Sequence, residues 1–313
     1  MKTYSIQSTL HYLSLVVAFA ATAMLLPACE DDPVVVDEQL TTKPDTGTET
    51  EPETFRFISY NILEGMKLDK DNNFDNFVAW VQAKDPDFMA LQECNGLTQE
   101  TLTALAARYG HPHALVCKEE GYSVGLTSKY PIELRNRMLS TEENPLPLYH
   151  GAIFTRIKDI NVVVLHLYPF GAALDGMPNG DAYRTREINY ILDNTIRRYP
   201  AEPLWLMSGD FNSYSAKDAD ALGERYYDTH NTVLQSGYYD VIRDRHNYFM
   251  RTTPTVYGKW VEGVVGSRLD FIYCSKNILR QMTSSDIIYD DFTNKHSDHY
   301  PVMIEFRHYP SGK

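Results

Sequence analysis

The chain has 313 residues, and its 43% hydrophobic and 12% aromatic content belongs to a packed globule, which excludes a disordered or fibrous chain. Lys and Arg number 29 against 42 Asp and Glu, a formal net charge of -13. That balance repels polyanions and argues against tight nonspecific duplex binding, but it leaves a phosphate substrate open, because a bound cation reverses the local field.

Lys2 opens a short polar region, and Leu13 to Leu26 form an apolar stretch of signal-peptide length, too short for a comfortable membrane span. The stretch ends in Leu26-Pro27-Ala28-Cys29, which resembles the lipobox of bacterial lipoproteins. The resemblance implies a signal peptide over 1–28, cleavage before Cys29 and a lipid on its thiol, with an ordinary secretory signal as the alternative. Glu30-Asp31-Asp32 resemble the surface-export tags of some Gram-negative groups. The expected location is the bacterial cell envelope, lipid-anchored at the outer membrane, on its periplasmic or its outer face. Asp31 to Glu53 is rich in Thr, Pro, Asp and Glu without apolar periodicity and reads as a flexible tether. The assigned units are therefore 1–28, a tether over 29–54, and one catalytic domain over 55–313, expected to be monomeric.

Within the domain, Phe55 to Tyr60 alternates as a strand does, and Phe74 to Ala83 carries Phe74, Phe77, Val78 and Val81 at helical spacing until Asp85-Pro86-Asp87 stops it. Phe88 to Gln92 is a short apolar strand. Thr98 to Tyr109 reads as a helix with Gly110 as its stop. Strands follow at Ala114 to Cys117, Ser123 to Thr127, Ala152 to Ile157 and Ile160 to His166. A long helix is predicted over Tyr183 to Tyr199, with Ile188, Ile191, Leu192 and Ile196 on one face. Further strands are predicted at Leu204 to Ser208, Tyr238 to Ile242, Leu269 to Cys274 and Val302 to Phe306. Mixed strands flanked by helices give a layered α/β sandwich. Cys94, Cys117 and Cys274 show no CxxC spacing, so they read as buried thiols rather than a zinc site.

Five segments place acid, amide or imidazole groups at the ends of predicted strands: Ser59 to Asn61, Leu91 to Glu93, Gly209 to Asn212, Arg268 to Tyr273 and Ser297 to His299. Loops at strand ends can gather such groups into one cleft. Phosphate-ester cleavage needs a cation on the phosphoryl oxygens, an activated water and help for the leaving group. Glu93, Asp210 and Asp298, with Asn61 and Asn212, are oxygen donors suited to Mg²⁺ or Mn²⁺, and His166 and His299 can handle protons or contact phosphate. Taken singly, Asp270 reads as a cap, His166 as a core histidine, and Asn61 and Gly209 to Asn212 as turns. His111, His113, His230 and His308 lack ligand spacing and read as surface groups. No GxxxxGK[ST] loop and no GxSxG elbow is present.

In order, Ser59-Tyr60-Asn61-Ile62, Leu91-Gln92-Glu93, Gly125-Leu126-Thr127-Ser128-Lys129-Tyr130-Pro131-Ile132, Val164-Leu165-His166-Leu167, Gly209-Asp210-Phe211-Asn212, Arg268-Leu269-Asp270-Phe271-Ile272 and Ser297-Asp298-His299-Tyr300-Pro301-Val302 resemble the motifs of the endonuclease/exonuclease/phosphatase superfamily. The resemblance covers about residues 55 to 308 and implies a four-layered α/β/β/α sandwich, DNase I-like. It further implies a divalent-metal-dependent phosphoesterase with Glu93 as the principal metal carboxylate, helped by Asn61 and completed by Asp298. Asp210 would orient or deprotonate the attacking water, and Asn212 and His166 would contact phosphate. Asp270 would fix the tautomer of His299, which would stabilise developing charge.

The substrate would depend on variable loops. One runs from Tyr168-Pro169-Phe170-Gly171 to Asp181. Another, Arg243 to Trp260, mixes Arg243, Arg245, His246, Arg251 and Lys259 with Tyr248, Phe249, Tyr257 and Trp260, and could hold a phosphate and stack a ring, or be ordinary loop packing. An extracellular nuclease, a phosphoesterase of lipid headgroups, sugar phosphates or inositol phosphates, and a noncatalytic binding module are the three readings. The presence of Glu93, Asp210 and His299 disfavours the last.

Overall fold

The computed structural model describes residues 51–309. The signal peptide and the lipid anchor expected at Cys29 lie outside the described residues. Twelve strands follow in chain order: β1 (Glu53–Asn61), β2 (Phe88–Gln92), β3 (His113–Val116), β4 (Val124–Ser128), β5 (Ile132–Met138), β6 (Ala152–Ile157), β7 (Ile160–His166), β8 (Trp205–Asp210), β9 (Tyr238–Asp240), β10 (Asp270–Ser275), β11 (Met282–Ile287) and β12 (Val302–His308). They form two six-stranded mixed sheets, ordered β11-β12-β1-β2-β4-β3 and β5-β6-β7-β8-β10-β9.

Period-two alternation along the strands divides the apolar side chains between two faces. Phe55 and Phe57 of β1, Phe88 and Ala90 of β2, Val162 and Val164 of β7, and Ile272 of β10 meet in a central core between the sheets. The alternate residues Ile58, Tyr60, Met89 and Leu91 turn to the other side and pack on Phe77, Val81, Leu102 and Leu105 from the helices Asp75–Lys84 and Gln99–Arg108. On the outer face of the second sheet, Val163, Leu165, Met207 and Phe271 pack on Ile188, Ile191, Leu192 and Val233 from the helices Gly180–Asp193 and Asp228–Gln235. The layers are therefore α/β/β/α, as the sequence implied.

Several boundaries differ from expectation. The long helix spans Gly180–Asp193, opened by Asn179, whose side chain accepts from Ala182 N. Ile196 still packs on the same cluster, which is why its spacing imitates a continued helix. Strands β5 and β11, each at the edge of a sheet, escaped the sequence reading. Their sequences, IELRNRM and MTSSDI, are polar because an edge strand needs charge to discourage pairing with another chain. His111, His230 and His308 are buried rather than surface groups. His111 lies between Thr127 Oγ1 and Pro86 O, each at 2.8 Å, and His230 Nδ1 meets Tyr273 Oη at 2.7 Å. Each thus satisfies core polar atoms, a service that leaves no spacing signal. Cys94, Cys117 and Cys274 are free and buried.

Candidate active site

Strand direction explains how distant segments meet. In the second sheet β7 and β8 are parallel with His166 opposite Asp210, and β10 is antiparallel with Asp270 opposite the same Asp210. Three adjacent strands thus set an imidazole and two carboxylates in a row, with Asp270 at the start of its strand rather than the end. In the first sheet β1 and β2 are parallel with Asn61 opposite Gln92, so Asn61 and the residue that follows the neighbouring strand, Glu93, emerge together. β12 runs antiparallel to β1, and the Ser297-Asp298-His299 turn that leads into it therefore arrives at that same edge. Ser297 Oγ donates to Asn61 O at 2.7 Å and accepts from His299 N at 3.1 Å, which fixes the turn.

Two hydrogen bonds, Asn61 to Asp210 and His299 to Asp270, join the edges of the sheets. Asn61 Nδ2 donates to Glu93 Oε1 and to Asp210 Oδ2, both at 3.1 Å. His299 Nδ1 donates to Asp270 Oδ2 at 2.7 Å. Turn geometry and site geometry use the same atoms: Leu63 N donates to Asn61 Oδ1 at 3.1 Å, and Asn212 N donates to Asp210 Oδ1 at 2.8 Å. Glu93 and Asn212 take left-handed backbone, with φ of 59° and 49°, a conformation disfavoured for side chains with a Cβ and common at functional turns. Glu93 Oε2 also accepts from Glu64 N at 2.9 Å, and Asn212 Nδ2 donates to Leu167 O at 3.1 Å.

The electrostatics follow from burial and like-charge crowding. Burial pushes Glu93 up against the hydrogen bonds from Glu64 N and Asn61. Burial, then the charge of Asp270, push Asp210 up to about 7. Burial alone would lower His299, but Asp270 and then Asp210 outweigh it and hold the ring well above its ordinary value. His166 goes the other way: burial, then the neighbouring His150, hold it well below. Its Nε2 stands 3.7 Å from Asp210 Oδ2. One imidazole is therefore charged and one neutral on either side of the same carboxylate.

All eight site residues named from the sequence gather at this edge. Glu93, His166, Asp210, Asn212 and His299 line one cleft of about 280 Å³. Asp270 stands behind His299, and the charge of Asp298 acts on both Glu93 and His299. Sequence reasoning missed Tyr122, Tyr149 and His150, which line the cleft too. The available signal was positional: Tyr122 precedes β4, which pairs antiparallel with β2, and Tyr149-His150 precede β6, which pairs antiparallel with β7. The first variable loop delivers Pro169 and Phe170 to the cleft. The second contributes none of its lining and is engaged in packing. Arg243 pairs with Asp218 and Asp220, Arg251 sits 4.0 Å from the Trp260 ring centroid, and Thr252 Oγ1 accepts from Leu269 N and Asp270 N at 2.9 and 3.1 Å. Arg268, inside the sixth motif, is fully buried and binds Asp240 through two nitrogens at 2.8 and 2.7 Å.

A family model described as the Endonuclease/Exonuclease/phosphatase family matches residues 58–299. No curated protein matches the chain. Among solved structures, an AP endonuclease from Archaeoglobus fulgidus superposes with a TM-score of 0.64 at 19% identity, over 80% of this chain and 99% of that one. The 3'-5' exonuclease NExo from Neisseria meningitidis gives 0.59 at 18% identity, over 80% and 99%. TDP2 of D. rerio, in complex with a single-strand DNA product, gives 0.55 at 17% identity, over 81% and 99%. At these identities the likeness is one of fold.

Proposed function

Because the chain belongs to the Endonuclease/Exonuclease/phosphatase family, and is thereby a hydrolase of phosphate esters, we propose that it works with a divalent cation, Mg²⁺ or Mn²⁺, by in-line attack of water on the phosphorus. The observation that carries this reading is the pair of hydrogen bonds across the two sheets, from Asn61 to Asp210 and from His299 to Asp270. Four carboxylates, Glu93, Asp210, Asp270 and Asp298, face one charged imidazole, an excess of negative charge that a hard cation relieves. The donor set is of oxygens, and Asp298 Oδ1 is buried without a hydrogen-bond partner, so the residues fit such an ion. Asp210, Asp270 and His299 bring one atom each within 4.8 Å of one another, but Asp270 and His299 are hydrogen-bonded to each other through Oδ2 and Nδ1. Glu93 and Asp298 therefore supply the metal oxygens. Asn61 turns its amide nitrogen to the carboxylates and holds Glu93 and Asp210 in place. When bound, the cation polarises the phosphoryl oxygens and neutralises their charge.

In this reading Asp210 takes the proton of the attacking water, its raised pKa matching a general base that works near neutrality. His299, kept charged through Nδ1 by Asp270, offers Nε2–H to a phosphoryl oxygen as negative charge develops. Asn212 has one amide hydrogen committed to Leu167 O and a second for the phosphate. His166, neutral, assists the departing oxygen. The lipid anchor at Cys29 would hold the enzyme at the cell envelope. With bis-p-nitrophenyl phosphate and Mg²⁺, Asp210→Asn and His299→Ala should each lose about 100-fold or more in turnover while remaining folded by circular dichroism. Near-normal rates in both variants would defeat the assigned roles.

A further inference from the structure

The cleft continues onto a wall that the hydrolytic steps do not use. Tyr122, Tyr149 and Phe170 line it and keep 40%, 43% and 54% of their surface exposed, ring area whose burial by a ligand would be favourable. Among them stands His150. Its ring stacks on His166 with centroids 4.4 Å apart, meets Tyr149 edge-on at 4.8 Å and lies 5.5 Å from Tyr122. His150 is only 5% exposed, yet its Nε2 has no hydrogen-bond partner. A buried polar atom left unpaired in a cleft points to a ligand atom that pairs it.

The wall is fastened from behind. Glu187 accepts from Tyr149 N and Tyr168 N, each at 2.8 Å. Arg184 Nη1 donates to Tyr168 O and Phe170 O, each at 3.0 Å, and Gly180 N donates to Gly171 O at 2.9 Å. A Cβ at position 180 would stand 1.9 Å from Phe170 O, so the loop sits as close to the helix as a glycine allows. Surfaces held in this way lose little entropy on binding. The charges are as informative: among the described residues, no Lys or Arg lines the cleft, whereas each additional phosphate on a ligand calls for a cation of its own.

We propose that Tyr122, Tyr149, His150 and Phe170 form a subsite for a planar ring carried by a singly phosphorylated ester, the ring stacked on the aromatic wall and its polar edge paired with His150 Nε2. The proposal rests on the hydrolase reading above and names the kind of ester that reading leaves open. A quaternary ammonium headgroup would also sit against aromatic rings, but it carries no group to pair His150 Nε2. A polyphosphorylated sugar would find no Lys or Arg in the lining for its further phosphates.

Calorimetric titration with Mg²⁺ present tests this, using thymidine 5'-monophosphate, ribose 5-phosphate, phosphocholine and inositol 1,4,5-trisphosphate as probes. The nucleotide should bind about tenfold or more tightly than ribose 5-phosphate, as stacking on an aromatic side chain provides. Phe170→Ala and Tyr149→Ala should erase most of that preference and leave ribose 5-phosphate binding within about twofold. His150→Phe should weaken the nucleotide alone. Equal affinity of nucleotide and ribose 5-phosphate, tighter binding of phosphocholine or the trisphosphate, or no binding of the nucleotide would each overturn the subsite. The ranking on the unaltered protein decides even where a variant fails to fold. Turnover of bis-p-nitrophenyl phosphate by the same sample separates the claims: turnover without ring preference overturns the subsite alone, and absent turnover overturns the hydrolytic mechanism.

Discussion

Asp270→Asn isolates the charge that keeps His299 protonated. The two groups are buried, with Asp270 Oδ2 2.7 Å from His299 Nδ1. Unit charges about 4 Å apart attract by about 4 kcal/mol at an effective dielectric near 20, and about 1.4 kcal/mol moves a titration by one pH unit. Asp210 Oδ2 remains 3.9 Å from the same nitrogen and retains part of the effect, so the ring should titrate about one to three pH units lower in the variant. The sign is fixed by which form the fold favours. His299 is held above its ordinary value of 6.5, so its contribution to stability is complete below that pH and is lost as pH rises through the folded value. Removing the Asp270 charge brings that loss, and the alkaline limb of activity, to lower pH. A pH profile of kcat/KM together with NMR titration of the histidine rings measures both, and turnover at pH 8 should fall about 100-fold or more. An unmoved alkaline limb with turnover within about threefold of the parent would refute the reasoning.

Excess EDTA should abolish turnover, and Glu93→Gln should weaken Mg²⁺ binding by tenfold or more, about 1.4 kcal/mol, with the melting temperature little changed; calorimetry and thermal scanning check both. Gly209→Ala should cost more than about 2 kcal/mol in denaturant unfolding, since φ there is +151° and a Cβ would stand 1.9 Å from Leu165 O across the parallel ladder; a loss under about 0.5 kcal/mol contradicts this. Arg268→Ala should destabilise by about 3–5 kcal/mol, because it takes the ion-pair partner from the buried carboxylate of Asp240 and leaves Asp218 with Arg243 alone. Unfolding midpoints equal to the parent's would show that the pairing carries no weight.

The amino-acid order by itself determined the layers and most of the chemistry. The sequence identified β1 and β7 as strands, and the period of two in any strand then turns Phe57 and Val164 to one face and Ile58 and Val163 to the other, the split that builds two cores around each sheet. Polar groups at the ends of apolar runs identified Asn61, Glu93, Asp210 and His299, because a side chain at a strand end needs only the local sequence to be placed there. Folding alone decided what lies beside what. Asp270 and Asp210 are 60 positions apart in the chain, and only the antiparallel pairing of β10 with β8 sets them opposite each other. His150 and Tyr149 carry no motif; they reach the cleft because β6 starts where β7 ends, and Glu187 secures them from a helix in another layer. Pairing and packing are non-local, so the aromatic wall could not be read from neighbours along the chain, whereas the strand-end carboxylates could.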